Sequence, residues 1–91
     1  MGAITLVSIS KYPEQYEART PDGQTIGYIR IKMGYCDVWC PDAGGKDLVY
    51  EADVKWELDG FRTNRERKKH LYRAKKAIMN WYLQSQLLPS E

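Results

Sequence analysis

The chain has 91 residues and a formal net charge of only +2, although 29% of its residues are charged. A chain of this length forms one small domain, so residues 1–91 are predicted to be a single domain. No segment approaches the ~20 consecutive apolar residues of a membrane span, and the first ten residues lack the basic start and apolar run of a signal peptide. The composition therefore excludes a transmembrane helix, and we expect a cytoplasmic protein without a membrane partner.

The first half of the chain contains four short patterns rich in β-branched and aromatic residues, which predict strands over residues 4–9, 16–20, 25–32 and 35–40. Turn residues separate them. Pro21-Asp22-Gly23 combines a fixed φ, a side chain that folds onto the backbone and a glycine for the left-handed position. Met33-Gly34 is predicted to be a two-residue hairpin loop.

The second half contains one alternating segment and one helix-forming segment. Over residues 48–58, apolar side chains point to one side of the predicted strand: Leu48, Tyr50, Ala52, Val54, Trp56 and Leu58. Thr63 followed by Glu66 is a capping box, and no helix breaker occurs before Pro89. One face of this helix is predicted to pack on the sheet: His70, Leu71, Ala74, Ala77, Ile78, Trp81 and Tyr82. The order of elements predicts an α+β fold, in which an antiparallel meander of four to five strands is followed by one long C-terminal helix packed on it.

The predicted turns also fix how the strands pair. A Met33-Gly34 loop pairs Arg30 with Asp37 and Tyr28 with Trp39, and it turns the neighbouring apolar residues toward the helix. A three-residue loop at Pro21-Asp22-Gly23 places Tyr16 opposite Tyr28. The row Tyr16, Tyr28 and Trp39 is then a candidate aromatic platform on the other sheet face, for stacking with bases or for packing in a core or protein interface.

The charged residues are distributed unevenly along the chain. Residues 62–76 contain eight basic residues and one acid, whereas residues 37–59 contain seven acids and two lysines. Six of the basic residues form a candidate binding face on the helix: Arg65, Lys68, Lys69, Arg73, Lys75 and Lys76. Cations near a helix start oppose the macrodipole and repel one another, which favours a polyanionic partner such as nucleic acid. The alternative is neutralisation by the acidic residues Glu51, Asp53, Glu57 and Asp59.

A second apolar stripe lies on the helix outside the predicted core face and consists of Tyr72, Met79, Leu83 and Leu87. A surface helix is normally polar there. The stripe therefore predicts an interface with a protein partner or a second copy of the chain. Internal packing against another part of the chain is the alternative.

The residues that most often carry chemistry are few and scattered. Cys36 and Cys40 lie four residues apart in one predicted strand, so their Cα atoms are ~13 Å apart and cannot form a disulfide. Reduced thiols favour an intracellular setting. The two cysteines and His70 do not have the paired spacing of zinc ligands. The sequence also contains no motif that pairs a nucleophile with a base, and no phosphate-binding loop. We expect no metal, no cofactor and no enzymatic activity.

The strand-then-helix order, with Gly60-Phe61-Arg62-Thr63 opening the helix, resembles the small arm-type DNA-binding domains of phage integrases. The resemblance implies a sheet presented to DNA and braced by the helix, although the helix is far more basic here. A compact chain of this kind is also similar to the small inhibitor proteins that phages make against host proteins. We therefore expect a non-enzymatic binding protein that acts on a protein partner, as an inhibitor or adaptor of a host nucleic-acid-handling protein, or that forms a homodimer. The alternative is a nucleic-acid-binding protein that uses the basic helix.

Overall fold

A computed structural model describes residues 4–56 and 58–87, with the backbone alone for Leu87. Five strands form one antiparallel meander, and a single long helix follows them. In chain order the elements are β1 (Thr5–Lys11), β2 (Glu14–Arg19), β3 (Thr25–Lys32), β4 (Tyr35–Cys40), β5 (Asp47–Asp53) and α1 (Asn64–Leu87). The predicted α+β fold is confirmed, while the predicted helix end at Pro89 lies outside the described residues. Among the described residues, no helix combines the length and the apolarity that crossing a membrane requires.

The hairpin between β3 and β4 has the predicted two-residue loop. Met33 and Gly34 both have positive φ, at 53° and 86°, as a type I′ turn requires. Because this turn matches the twist of the strands, it fixes the register that the sequence predicts. Arg30 pairs with Asp37, and the residues on either side of them in β3 and β4 pair as expected.

The core lies between α1 and one face of the sheet. The helix packs over β3, β4 and β5, and Ile29, Ile31 and Val38 are fully buried beneath it. Gly27 of β3 lets the helix approach closely, because Ile78 occupies the space where a side chain at residue 27 would lie. The opposite side of the sheet is called the outer sheet face below.

The helix begins as its sequence predicts. Thr63 Oγ1 accepts the backbone N–H of Glu66 at 3.1 Å, and Thr63 O accepts that of Arg67 at 3.0 Å. This satisfies donors of the first turn that have no partner inside the helix. The predicted core face is confirmed, since each of its residues is buried or partly buried: His70, Leu71, Ala74, Ala77, Ile78, Trp81 and Tyr82.

The predicted alternation of the fifth strand is wrong at both ends. A β-bulge shifts the pairing so that Tyr50 lies opposite Val38 but Leu48 lies opposite Trp39. Val49, the extra residue, packs on the core, while Leu48 turns to the outer sheet face and is 43% exposed. The strand ends at Asp53 rather than at residue 58, because the chain turns away toward the helix.

The pairing of Tyr16 with Tyr28 is also wrong. The loop at Pro21-Asp22-Gly23 closes as predicted, because Thr20 N–H donates to Gln24 O at 2.9 Å. A bulge then shifts the register, so that Tyr16 pairs with Ile29. Tyr16 therefore lies on the helix side of the sheet, and Tyr28 lies on the outer sheet face.

Candidate functional site

The basic residues of α1 form one exposed surface on the side of the helix away from the sheet. Side chains on this side recur every three to four residues, because a helix turns once in about 3.6 residues. Five of the six predicted residues are exposed and Lys75 is partly buried. We call the set the basic helix face: Arg65, Lys68, Lys69, Arg73, Lys75 and Lys76.

No member of the basic helix face forms a salt bridge within the described part of the chain. Among residues 4–56 and 58–87, the only salt bridge of a helix cation joins Arg67 to Glu14, with 2.7 Å between Nε and Oε2. Arg67 points toward the sheet and is not a member of the basic helix face. The other cations of α1 form no salt bridge among the described residues.

None of the acidic residues proposed to neutralise the helix, as far as the structure describes them, forms a salt bridge with a helix cation. Glu51 lies on the outer sheet face, where it pairs in register with Asp37. Asp53 accepts the backbone N–H of Lys55 at 2.8 Å, and Asp59 accepts that of Met33 in the β3–β4 turn at 2.9 Å. Glu57 lies outside the described residues. Of the described acids in this set, Glu51 therefore lies on the side of the sheet opposite α1, whereas Asp53 lies near Lys69 and Arg73 without forming a salt bridge.

Glu14 holds the first turns of the helix to the sheet. The residue is only 6% exposed, and its carboxylate accepts hydrogen bonds from Arg67, from Tyr16 Oη and from the backbone N–H of Phe61. Burial raises the pKa of Glu14, but these donors outweigh burial and leave its pKa below the usual value. Burial and the neighbouring carboxylate raise the pKa of Tyr16 to about 12. Glu14 and Arg67 therefore form an ion pair at neutral pH, and this pair positions the start of α1 on the sheet.

One side of the basic helix face, at Lys69 and Arg73, continues into a cleft of about 470 Å³ between α1 and the edge of β5. We call it the β5 cleft. Four of the charged residues that line it are basic and two are acidic: Lys55, Arg62, Lys69, Arg73, Asp53 and Glu66. The excess of positive charge makes the cleft a continuation of the same cationic surface.

A second cleft, of about 510 Å³, adjoins the first and shares Lys55 and Arg62 with it. Trp56 and Leu58 complete its lining, and we call it the Trp56 cleft. The guanidinium carbon of Arg62 lies 5.6 Å from the centre of the Trp56 ring, in a cation–π contact. Sequence analysis missed this site because it placed Trp56 within the fifth strand. The sequence signal for this site is the position of Trp56 shortly before Arg62, the first cation of the basic segment.

The second apolar stripe of the helix is divided between the core and the surface. Met79 packs against the core, and Leu83 is partly buried. Tyr72 is 63% exposed, with the Lys76 ammonium 5.6 Å from the centre of its ring. The side chain of Leu87 lies outside what the structure describes. Tyr72 is therefore the most exposed of the stripe's described side chains.

The predicted aromatic platform does not form as a row of three. Tyr28 and Trp39 do lie opposite each other on the outer sheet face, but Tyr16 lies on the helix side. Tyr28 is only 8% exposed, and its hydroxyl donates a hydrogen bond to Gln15. The ring faces needed for stacking with bases are therefore not presented together.

Cys36, Cys40 and His70 are all buried. Both cysteines carry free thiols, and burial followed by nearby carboxylates raises the pKa of each to about 12. His70 Nδ1 lies 2.9 Å from Tyr50 Oη, and its ring stacks on Phe61. Burial, followed by the neighbouring cations Lys69 and Arg73, lowers the pKa of His70, so its ring is neutral at pH 7. These residues build the core.

Comparison of the chain with protein-family models, with curated proteins and with solved structures finds no match in any of the three. The functional argument therefore depends on the geometry and charge of the surfaces described above.

Proposed function

We propose that the protein binds nucleic acid through the basic helix face. The observation that supports this is that the exposed cations form no salt bridge among the described residues. Asp37 and Glu51 lie on the outer sheet face, and Asp53 reaches only the rim of the surface, in the β5 cleft. Cations at the start of a helix oppose its macrodipole, and like charges one turn apart repel. A polyanion on this surface relieves both effects.

The dimensions of the surface suit a phosphate backbone. Arg65 and Lys76 are eleven positions apart, which corresponds to about 16 Å along a helix axis. In a duplex, one strand carries a phosphate about every 3.4 Å along the duplex axis, so about five phosphates of that strand fall within this axial length. Lys69 and Arg73 lie between the two ends and extend the contact into the β5 cleft.

Binding to a labelled DNA duplex and to a labelled single strand, followed by fluorescence anisotropy over a series of salt concentrations, tests the proposal. The logarithm of the binding constant falls with the logarithm of salt by about 0.9 for each phosphate contacted in duplex and about 0.7 in a single strand. Lys69→Ala with Lys76→Ala removes two such contacts. We expect this pair to lower affinity and to reduce the slope by about 1.8 for duplex or about 1.4 for single strand.

A matched pair of substitutions distinguishes the effect of this surface from the effect of the protein's overall charge. Lys32→Ala with Lys46→Ala removes the same charge at exposed positions outside the helix. This pair should leave the slope unchanged. Affinity that does not vary with salt, or equal losses in the two pairs, would contradict binding through the basic helix face.

A protein partner is the second candidate, and the exposure of Tyr72 favours it. Tyrosine is enriched in protein interfaces, and this ring lies on the outer side of α1, beside Lys76. The partner is either a second copy of the chain or a host nucleic-acid-handling protein that the chain inhibits or adapts. Size-exclusion chromatography with light scattering gives the mass of the free protein. A dimer that Tyr72→Ala dissociates supports the homodimer, and a monomer at every concentration contradicts it.

A further inference from the structure

We infer that the Trp56 cleft binds an unpaired base, so that the nucleic acid bound by this protein is single-stranded. This inference rests on the proposed function. To the proposed function, the inference adds the class of nucleic acid and a second set of binding residues. These residues lie between β5 and α1 rather than on the helix.

The lining of the cleft is suited to the flat face of a base. It combines an indole ring, an aliphatic side chain and a guanidinium group, from Trp56, Leu58 and Arg62. Bases in single-stranded complexes stack on aromatic rings and on the planes of arginine side chains. Trp56 is partly buried and packs against the core, whereas Arg62 and Leu58 are exposed at the rim. Arg62 can therefore move off the indole to admit a base and then stack on it.

The backbone on both sides of Trp56 is held in place. Val54 N–H donates to Gly34 O at 2.9 Å, which ties the end of β5 to the β3–β4 turn. Farther along, Asp59 Oδ1 accepts Met33 N–H at 2.9 Å, and Asp59 O accepts Glu14 N–H at 2.8 Å. A site that is anchored on two sides loses little conformational freedom when a ligand binds.

The cleft adjoins the surface that is proposed to bind phosphates. Lys55 and Arg62 line both clefts, and Lys69 and Arg73 belong to both the β5 cleft and the basic helix face. A strand whose phosphates follow the helix therefore reaches the Trp56 cleft without leaving positively charged surface. The two carboxylates of the β5 cleft weaken this path but remain fewer than its cations.

Only an unpaired base can enter such a cleft. In a duplex, each base is covered by its neighbours on both faces, and exposing one costs the free energy of unstacking and unpairing. A single strand presents its bases at little cost, and stacking on one aromatic residue contributes about 5- to 150-fold in affinity. The Trp56 cleft should therefore favour single strands over duplexes.

Tryptophan fluorescence and anisotropy test this directly. Trp39→Phe with Trp81→Phe leaves Trp56 as the only tryptophan, since the chain contains three. We expect a short oligothymidylate to quench this fluorescence to saturation. An abasic strand of the same length, which keeps the phosphates but has no bases, should bind more weakly and should not quench. In the otherwise unchanged protein, Trp56→Ala should weaken oligothymidylate binding about 5- to 150-fold and leave duplex binding within about twofold.

Arg62→Lys provides a second variant that does not disturb the core, because Arg62 is exposed. It keeps the positive charge and removes the planar group, so the affinity for oligothymidylate should fall while the salt slope stays the same. Circular dichroism shows whether Trp56→Ala still folds. If it does not, quenching of Trp56 fluorescence in the single-tryptophan protein tests whether a base stacks in the cleft.

The possible failures are distinguishable. If oligothymidylate binds with the expected salt dependence but neither quenches Trp56 nor distinguishes the variants, the base site is wrong and the proposed function stands. If the abasic strand binds as tightly as oligothymidylate, the base site is likewise wrong. If no nucleic acid binds, the proposed function itself is wrong.

Discussion

Replacing Gly27 by alanine should destabilise the protein, because this glycine makes room for the helix. A Cβ at residue 27 would lie 2.6 Å from Ile78 Cδ1, 2.8 Å from Cγ1 and 2.9 Å from Cγ2. Ile78 is fully buried, so either its side chain leaves a favoured rotamer or α1 shifts off the sheet. Overpacking of this kind costs about 1 to 3 kcal/mol, and the reduced freedom of the unfolded chain returns about 0.4 to 1 kcal/mol. We expect a net loss of about 1 to 2 kcal/mol.

Urea denaturation of Gly27→Ala measures this loss, and Gly44→Ala is the matched control. Gly44 lies in the exposed β4–β5 loop, and a Cβ there has Asp42 Oδ1 as its nearest neighbour at 3.7 Å. The control should therefore be neutral or slightly stabilising. A double-mutant cycle with Ile78→Ala, which removes all three close atoms, should abolish the cost of Gly27→Ala. The close approach of α1 to β3 would be refuted if Gly27→Ala were as stable as the control.

Three further predictions concern the helix and its anchor. Thr63→Ala should lower the free energy of unfolding by about 1 kcal/mol in urea denaturation, because the first turn loses its cap. Arg67→Met should cost about 1 to 3 kcal/mol by the same assay, because it leaves the buried Glu14 carboxylate without its cation; the partial exposure of Arg67 keeps this below the ~3–5 kcal/mol of a fully buried pair. The pKa of His70 is lower in the folded state, so its contribution to stability is complete above about pH 6.5 and falls as pH decreases below that value. Unfolding free energies measured on both sides of pH 6.5 should show this dependence, and His70→Gln should flatten it.

The parts of the fold that the sequence predicts correctly are those in which adjacent residues determine the geometry. Met33-Gly34 forms a two-residue turn whose positive φ angles allow one register. Thr63 and Glu66 mark the first turn of the helix through a hydrogen bond between near neighbours. In each case the interaction is local, so the order of residues contains the information.

Two of the errors arise from single extra residues in strands. A bulge in the pairing of β2 with β3 moves Tyr16 from its expected position opposite Tyr28. A bulge in the pairing of β4 with β5 turns Leu48 outward and lets Val49 pack on the core. Because side chains alternate with a period of two, one inserted residue reverses the face of everything beyond it. No local pattern marks either bulge.

One part of the candidate site could be predicted from the sequence and another part could not. The exposure of the basic helix face follows from helical periodicity and is predicted from the sequence. The Trp56 cleft could not be predicted in this way, because the predicted strand continues through Trp56. In the structure, the chain leaves the sheet after Asp53 and takes a positive φ of 52° at Lys55. The turn is stabilised by contacts with the β3–β4 hairpin, which is distant in sequence.

The stability of the helix and the proposed function are linked through charge. The cations of its first turns oppose the macrodipole and repel one another, by a few tenths of a kcal/mol for each pair. Glu66 in the first turn and Glu14 beneath Arg67 offset only part of this cost among the described residues. A bound phosphate backbone would remove the remaining repulsion, so the same residues that weaken the free helix would strengthen the complex. If the proposed function holds, the charge arrangement lowers the stability of the free protein and raises its affinity for a polyanion, as expected of a binding surface.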